Sequence, residues 1–121
     1  MKLRFSVLCS LAVLLVLLVA SVRPLEAQPA PQRIEIVAKR YTFTPGEITL
    51  KKGVPVVIVL TSADVAHGLK VKELNLVVNA KKGQTSEVTF TPQKTGTFVG
   101  QCSVFCGSGH GSMKMTLHVT E

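Results

Sequence analysis

Lys51-Lys52-Gly53-Val54-Pro55-Val56-Val57-Ile58-Val59-Leu60-Thr61 is the stretch on which the fold turns. It opens with a charged, glycine-containing turn and continues as a run that is apolar at every position from Val56 to Leu60. Side chains branched at Cβ are stiff and pack well on a pleated surface, and a run without polar alternation suits a central strand covered on both faces. The same composition extends in both directions. From Gln28 onward Val, Ile and Thr supply 28 of 94 residues while Leu supplies 6, and no stretch sustains a helical period. Strands are expected over residues 33–43, 47–50, 54–61, 69–71, 76–78, 85–91, 97–102 and 113–119. Thr44-Pro45-Gly46, Lys51-Lys52-Gly53, Lys81-Lys82-Gly83 and Lys94-Thr95-Gly96 break the chain between them. Val88 and Phe90, and likewise Met115, Leu117 and Val119, alternate with polar neighbours as half-buried strands do. Seven or eight short strands at this spacing predict an all-β sandwich or barrel. Lysines at the turns discourage strand addition at the sheet edges and read first as solvated charges.

The 121 residues suit one small domain. Apolar residues are unevenly spread, 19 in the first 27 positions and 37 in the remaining 94, so the 46% average blends two segments. Lys2 and Arg4 precede an apolar run, residues 5–22, interrupted only by Ser6, Ser10 and Ser21, and Leu25-Glu26-Ala27 follows it. That pattern predicts a signal peptide over residues 1–27 cleaved after Ala27, with an uncleaved anchor as the alternative because 18 residues just span a bilayer. Cys9 lies inside the run and leaves with it. Residues 28–33 form a short tether and residues 34–121 the domain, delivered to the periplasm or the outer face of the cytoplasmic membrane. Export sets the redox compartment, in which Cys102 and Cys106 either pair with each other or bind metal. Beyond residue 27 there are 11 basic and 6 acidic residues, a charge of +5 that favours acidic partners. Nucleic acid is not expected as a partner, since the chain is read as exported, its basic residues are scattered and it has no aromatic platform.

The chemistry lies between the last two expected strands, in Cys102-Ser103-Val104-Phe105-Cys106-Gly107-Ser108-Gly109-His110-Gly111-Ser112-Met113. Thiolate and thioether ligands are soft and select copper in its lower oxidation state, whereas imidazole also accepts the higher one. Their mixture suits a copper that cycles between both. Gly107, Gly109 and Gly111 let the loop fold back so that its side chains converge, and Phe105 is expected to face the core. Cys106, His110 and Met113 are what a mononuclear blue-copper loop requires, and Cys102 could bridge a second metal. A further protein ligand must be His67 or His118. His118 alternates away from Met115 and Leu117 and reads as an exposed strand residue. His67, in the loop Ser62-Ala63-Asp64-Val65-Ala66-His67-Gly68 after the central strand, reads as the ligand. Asp64 reads either as a second-shell carboxylate that orients the His67 ring or as a solvated turn residue.

These residues resemble the dinuclear copper A domain of cytochrome c oxidase subunit II, shared with nitrous oxide reductase. The family loop runs Cys-x-Glu-x-Cys-Gly-x-x-His-x-x-Met, and Cys102, Cys106, Gly107, His110 and Met113 match it in register. The Ser62 to Gly68 segment is similar to the family's upstream Ser-x-Asp-Val-x-His, and Tyr41-Thr42-Phe43-Thr44-Pro45 to the aromatic-x-Phe-x-Pro stretch that opens its sandwich. The resemblance spans Ile34 to Val119. It implies a cupredoxin-like Greek-key β-sandwich of seven to eight strands carrying two copper ions for electron transfer. Cys102 and Cys106 would bridge both coppers, and His67 and His110 would each cap one. Met113 would be the weak ligand of one copper and the peptide carbonyl of Val104 a ligand of the other. Val104 replaces a Glu that in oxidases also helps bind magnesium, so that role is not expected, and Phe105 resembles the reductase loop. With no Trp in the chain the tryptophan route for incoming electrons is missing too, and the membrane hairpin of subunit II is not expected. The implied partners are a c-type cytochrome or a terminal oxidase or reductase.

Three functions stay open on the sequence: an electron-transfer domain, a periplasmic copper carrier or insertion factor using the same ligands, and an exported structural domain with a Cys102 to Cys106 disulfide. The last leaves the placing of His67, His110 and Met113 to chance. An enzyme with its own substrate is not expected, because the ligands fill the coordination spheres and the chain is too short for a pocket beside them.

Overall fold

The computed structural model describes residues 23–121. Residues 1–22, with most of the expected signal segment, lie outside the described residues. Residues 23–31 are exposed and carry no regular structure. Nine strands follow: β1 (Gln32–Lys39), β2 (Thr42–Thr44), β3 (Glu47–Lys51), β4 (Val56–Ser62), β5 (His67–Val71), β6 (Leu76–Ala80), β7 (Thr85–Phe90), β8 (Gly96–Gln101) and β9 (Lys114–Thr120). Single 3-10 turns lie at Lys72–Leu74 and His110–Ser112, and no helix among the described residues is long and apolar enough to cross a membrane.

The strands form two sheets, ordered β2-β1-β4-β7 and β3-β9-β8-β5-β6. β1 runs parallel to β4 and β3 parallel to β9, so each layer is stitched by strands distant in sequence. Between the layers, Ile36, Ile58 and Leu60 of the first sheet meet Leu69, Met115 and Leu117 of the second, all buried. The β4 run is covered on both faces, as its composition predicts, but by different means. Val56, Ile58 and Leu60 enter the core. On the other face Val59 is 4% exposed although no third layer covers it. Arg33 on β1 and Glu87 on β7 flank β4 and pair at 2.7 Å, so their aliphatic stems roof it.

Nine strands replace the expected seven or eight because residues 33–43 are two strands, not one. Val37, Ala38 and Lys39 pair antiparallel with Thr44, Phe43 and Thr42, so the chain reverses at Arg40-Tyr41. Ala38 and Phe43 stand opposite each other and both face the core, which a continuous strand would forbid because their positions differ by an odd number. β5 starts at His67, two residues earlier than expected, and β1 starts at Gln32, inside the expected tether.

Register gives the sandwich two distinct ends. One collects the Arg40-Tyr41 turn, the 63–66 connection, the 81–84 turn and the 102–113 loop. The other holds the turns at 52–55 and 91–95, and there the chain enters the fold, with the Gln32 amide donating to Pro55 O at 2.9 Å, while the turn at 72–75 lies partway along β8, beside Val99.

Candidate metal centre

His67 is a strand residue, not a loop residue, and its position on β5 opposite Ala80 buries it completely. Its ring is held from one side: Nε2 lies 2.7 Å from Asp64 Oδ1, which also accepts the Val65 amide at 2.8 Å, while Oδ2 accepts the Arg40 amide at 2.9 Å. Loss of water around Asp64 would raise its carboxyl pKa, but these hydrogen bonds together outweigh that cost and hold it well below the ordinary 3.8. A carboxylate so engaged is not a solvated turn residue. With Nε2 tied to Asp64, Nδ1 faces inward, 3.8 Å from Cys102 Sγ.

The other donors come from the 102–113 loop. Cys102 Sγ lies 3.8 Å from Cys106 Sγ and donates to Val104 O at 3.2 Å. Cys106 Sγ lies 3.7 Å from His110 Nδ1 and 3.8 Å from Met113 Sδ. Each thiol is therefore flanked by one imidazole nitrogen and one weaker donor. Both cysteines are buried free thiols, and Met113 is fully buried. Burial pushes the Cys106 thiol up to about 11, and the neighbouring Cys102 sulfur adds to the rise, so a metal must displace a proton to bind there.

The loop rests on the β1–β2 turn, a support not recognised in the sequence. Arg40 Nε donates to Cys106 O at 2.8 Å, and Tyr41 lies beneath Gly107 and Gly109. The Ser108 side chain and the Gly109 backbone beside the Tyr41 phenol lower it from its ordinary value. A Cβ at Gly107 or Gly109 would overlap Tyr41, and Gly107 has φ +139, whereas a Cβ at Gly111 would meet nothing within 4 Å. Two of the three glycines are thus demanded by an aromatic ring and the third is not. Backbone bonds close the loop at its base, from Cys102 N to Met113 O at 3.1 Å and from Ser103 N to Gly68 O at 3.2 Å. No spacing rule would have found Arg40, which stands 66 residues from Cys106.

Phe105 does not face the core. It is 78% exposed, with its ring centroid 5.6 Å from that of His110. The inward places of the loop are taken by Cys102, Cys106 and Met113, and Tyr41 lies beneath it, so Phe105 is left outside. His118 lies on the outer side of β9, 3.2 Å from Thr97 Oγ1 and 3.8 Å from a Glu47 carboxylate oxygen, apart from the cluster.

The donor set can be tested for fit to a metal. The ligand atoms of His67, Cys102 and Cys106 all lie within 4.8 Å of one another. Two sulfurs 3.8 Å apart, with metal–sulfur bonds of about 2.3 Å, can reach one metal together, and two thiolates, two imidazoles and a thioether are what a redox-active copper takes. The residues fit copper.

Two β-sheets packed face to face, with histidine, cysteine and methionine donors gathered at one end, define the cupredoxin class. Within that class the chain belongs to the family described as cytochrome c oxidase subunit II, periplasmic domain, whose model matches residues 31–120. A cytochrome c oxidase subunit 2 of Thermus thermophilus is 31% identical over 93 residues, 77% of this chain and 69% of that protein. Among solved structures, the periplasmic domain of subunit II of cytochrome oxidase from Bradyrhizobium japonicum superposes with a TM-score of 0.68 at 23% identity, covering 78% of this chain and 88% of that one. Auracyanin A, a blue copper protein from Chloroflexus aurantiacus, superposes with a TM-score of 0.61 at 23% identity, covering 75% of this chain and all of that one. These likenesses support a cupredoxin-like fold.

Proposed function

We propose that the domain is an electron-transfer module of the cell envelope, exported to the periplasmic side, whose metal centre is a dinuclear copper A site. Cys102 and Cys106 would hold the two copper ions between them, with His67 and His110 as one further ligand each, Met113 as a weak ligand of one and the Val104 carbonyl as a ligand of the other. The observation that carries this reading is the pairing of donors, with Nδ1 of His67 beside one sulfur and Nδ1 of His110 beside the other. A mononuclear blue site, the closest rival, needs one of the two thiols and leaves Cys102 without a task. When bound, the copper pair supplies a one-electron couple spread over the shared sulfurs.

The protein's part is positioning. Asp64 fixes the tautomer and tilt of the His67 ring, since a carboxylate at Nε2 holds the proton there and leaves Nδ1 free to ligate. Arg40 and Tyr41 hold the Cys106 peptide and the glycines, so little needs rearranging when the oxidation state changes. Burial of His67, Cys102, Cys106 and Met113 keeps water out and favours a resident centre over the exchangeable site a copper carrier needs. The partner is a redox protein such as a c-type cytochrome or a terminal oxidase or reductase.

Copper loading tests the reading. Metal analysis should approach two copper ions per chain, with an electron paramagnetic resonance spectrum split by two equivalent coppers. Cys102→Ser should lower the content toward one. A wild-type protein that never exceeds one copper per chain, in either oxidation state, defeats the bridging assignment and leaves a blue site at His67, Cys106, His110 and Met113.

A further inference from the structure

The ligand loop shares its end of the sandwich with an excess of positive charge. Lys39 and Arg40 adjoin the β1–β2 turn, Lys81 and Lys82 lie in the β6–β7 turn, and Lys114 opens β9 directly after Met113. Register places all five there: Lys39 closes the β1–β2 ladder, Ala80 lies opposite His67, and Lys114 lies opposite Gln101. All five are exposed. Of the carboxylates near this end, Asp64 is spent on His67 and two amides, and Glu73 lies with Lys70 and Lys72 around a pocket that reaches Cys102 and Ser103, where the two lysines outnumber it. The ion pairs of Lys and Arg with carboxylates among the described residues lie elsewhere, at Arg33 with Glu35 and Glu87 and at Lys52 with Glu121. Phe105 projects from this same end, exposed and tilted against the His110 ring. The chain enters the fold at the opposite end, so a tether leading from Gln32 departs from the far side and leaves the ligand end free.

We propose that this face docks an acidic electron-carrier protein, with Phe105 as the apolar contact and Lys39, Arg40, Lys81, Lys82 and Lys114 as the cations that steer it. The inference rests on the copper reading of the same end. One electron passes between the centre and the carrier on docking, and no bond or proton moves. Opposite charges speed encounter and orient it, and that gain is screened by salt.

Two anionic probes and one cationic probe test the surface. The reduced copper-loaded domain is oxidised by hexacyanoferrate(III), which takes one electron and becomes hexacyanoferrate(II), and in parallel by cationic tris(phenanthroline)cobalt(III), which becomes cobalt(II). The anion's rate should fall as salt is added and the cation's should rise. Lys81→Glu with Lys82→Glu should slow the anion roughly tenfold at low salt, while Lys51→Glu with Lys52→Glu, the same charge change at the far end, should alter it less than about twofold. Equal effects of the two double variants would mean that net charge alone acts, and would overturn the proposal. In the metal-free domain, paramagnetic hexacyanochromate(III) should broaden amides at 39–41, 81–83, 103–111 and 114. Broadening centred on 51–53, or spread evenly, overturns it whether or not copper binds, so this arm separates failure of the docking face from failure of the copper reading. Sedimentation with phosphatidylglycerol vesicles that disappears in the Lys81/Lys82 variant would assign the face to a lipid surface and likewise overturn it.

Discussion

The turn at Lys51-Lys52-Gly53 and the loop from Cys102 to Met113 each join two strands, yet they are held by different means. At the turn the backbone does the work: Lys52 N reaches Thr120 O at 2.8 Å and Gly53 N reaches Pro92 O at 2.9 Å. Gly53, at φ +77, has open space where a Cβ would stand. At the loop, side chains from a distant turn intervene, with Arg40 on the Cys106 carbonyl and Tyr41 under two glycines. A turn held through backbone atoms alone tolerates many sequences that keep its conformation. A loop held by another segment's side chains is fixed in both shape and sequence, and donors that must meet at one point require that.

The difference is open to measurement, and copper itself should show it most strongly. A ligand that binds the folded chain alone adds about 4 kcal/mol at a thousandfold excess over its dissociation constant, so the loaded domain should melt well above the reduced apo form. Hydrogen exchange should slow at residues 103–112 and around His67 and stay unchanged at residues 51–53. Slowing at 103–112 without slowing near His67 would remove His67 from the ligand set.

Gly109→Ala should come next, destabilising the apo protein by about 2 kcal/mol in urea titration, because the new methyl group overlaps Tyr41. Gly111→Ala, facing open space, should stay within about 0.5 kcal/mol. Equal losses at the two positions would show that Tyr41 is not the platform of the loop.

Asp64→Asn should cost about 1 kcal/mol at pH 6. Because the folded carboxyl titrates below its ordinary 3.8, the stabilisation it gives is complete above that pH and fades as pH falls through the folded value. Wild type and variant should therefore converge in acid-dependent urea titrations. A gap that persists unchanged into strong acid would show that shape, and not charge, is what Asp64 supplies. The smallest effect is expected from Val104→Ala, which keeps the carbonyl and should leave copper content and colour intact. Loss of copper there would mean that the valine side chain packs the loop.

How much of this was legible in the sequence follows the same division. The turns announce themselves with glycine and lysine, and the β4 run and the alternation of Met115, Leu117 and Val119 give strands that the burial pattern bears out. The Arg40-Tyr41 reversal carries no glycine or proline, so residues 33–43 read as one strand. The readable clue was parity, since Ile36 and Ala38 fall on even positions and Phe43 on an odd one. The candidate donors could be picked out because soft sulfur and imidazole at short spacing have few other uses, and the structure brings His67, Cys102 and Cys106 together. Their supports could not, because Arg40 acts through a peptide carbonyl 66 residues away and nothing in its neighbourhood marks it. Phe105 was misplaced because an apolar side chain is expected to be buried, and the ring that lies beneath the loop is instead Tyr41, from a distant turn.

One consequence of the Arg40-Tyr41 platform concerns time. The chain is made from its amino end, so the hairpin that bears the loop is complete long before Met113, the last of the donors, has been added. β9, which follows at once, must then pair with β8 beside it and with β3, made some seventy residues earlier, before the base of the loop is closed. On the copper reading, metal capture would thereby be a late event: the site would form on a prepared floor, with both thiols still reduced, or the cysteines would meet each other before they met copper.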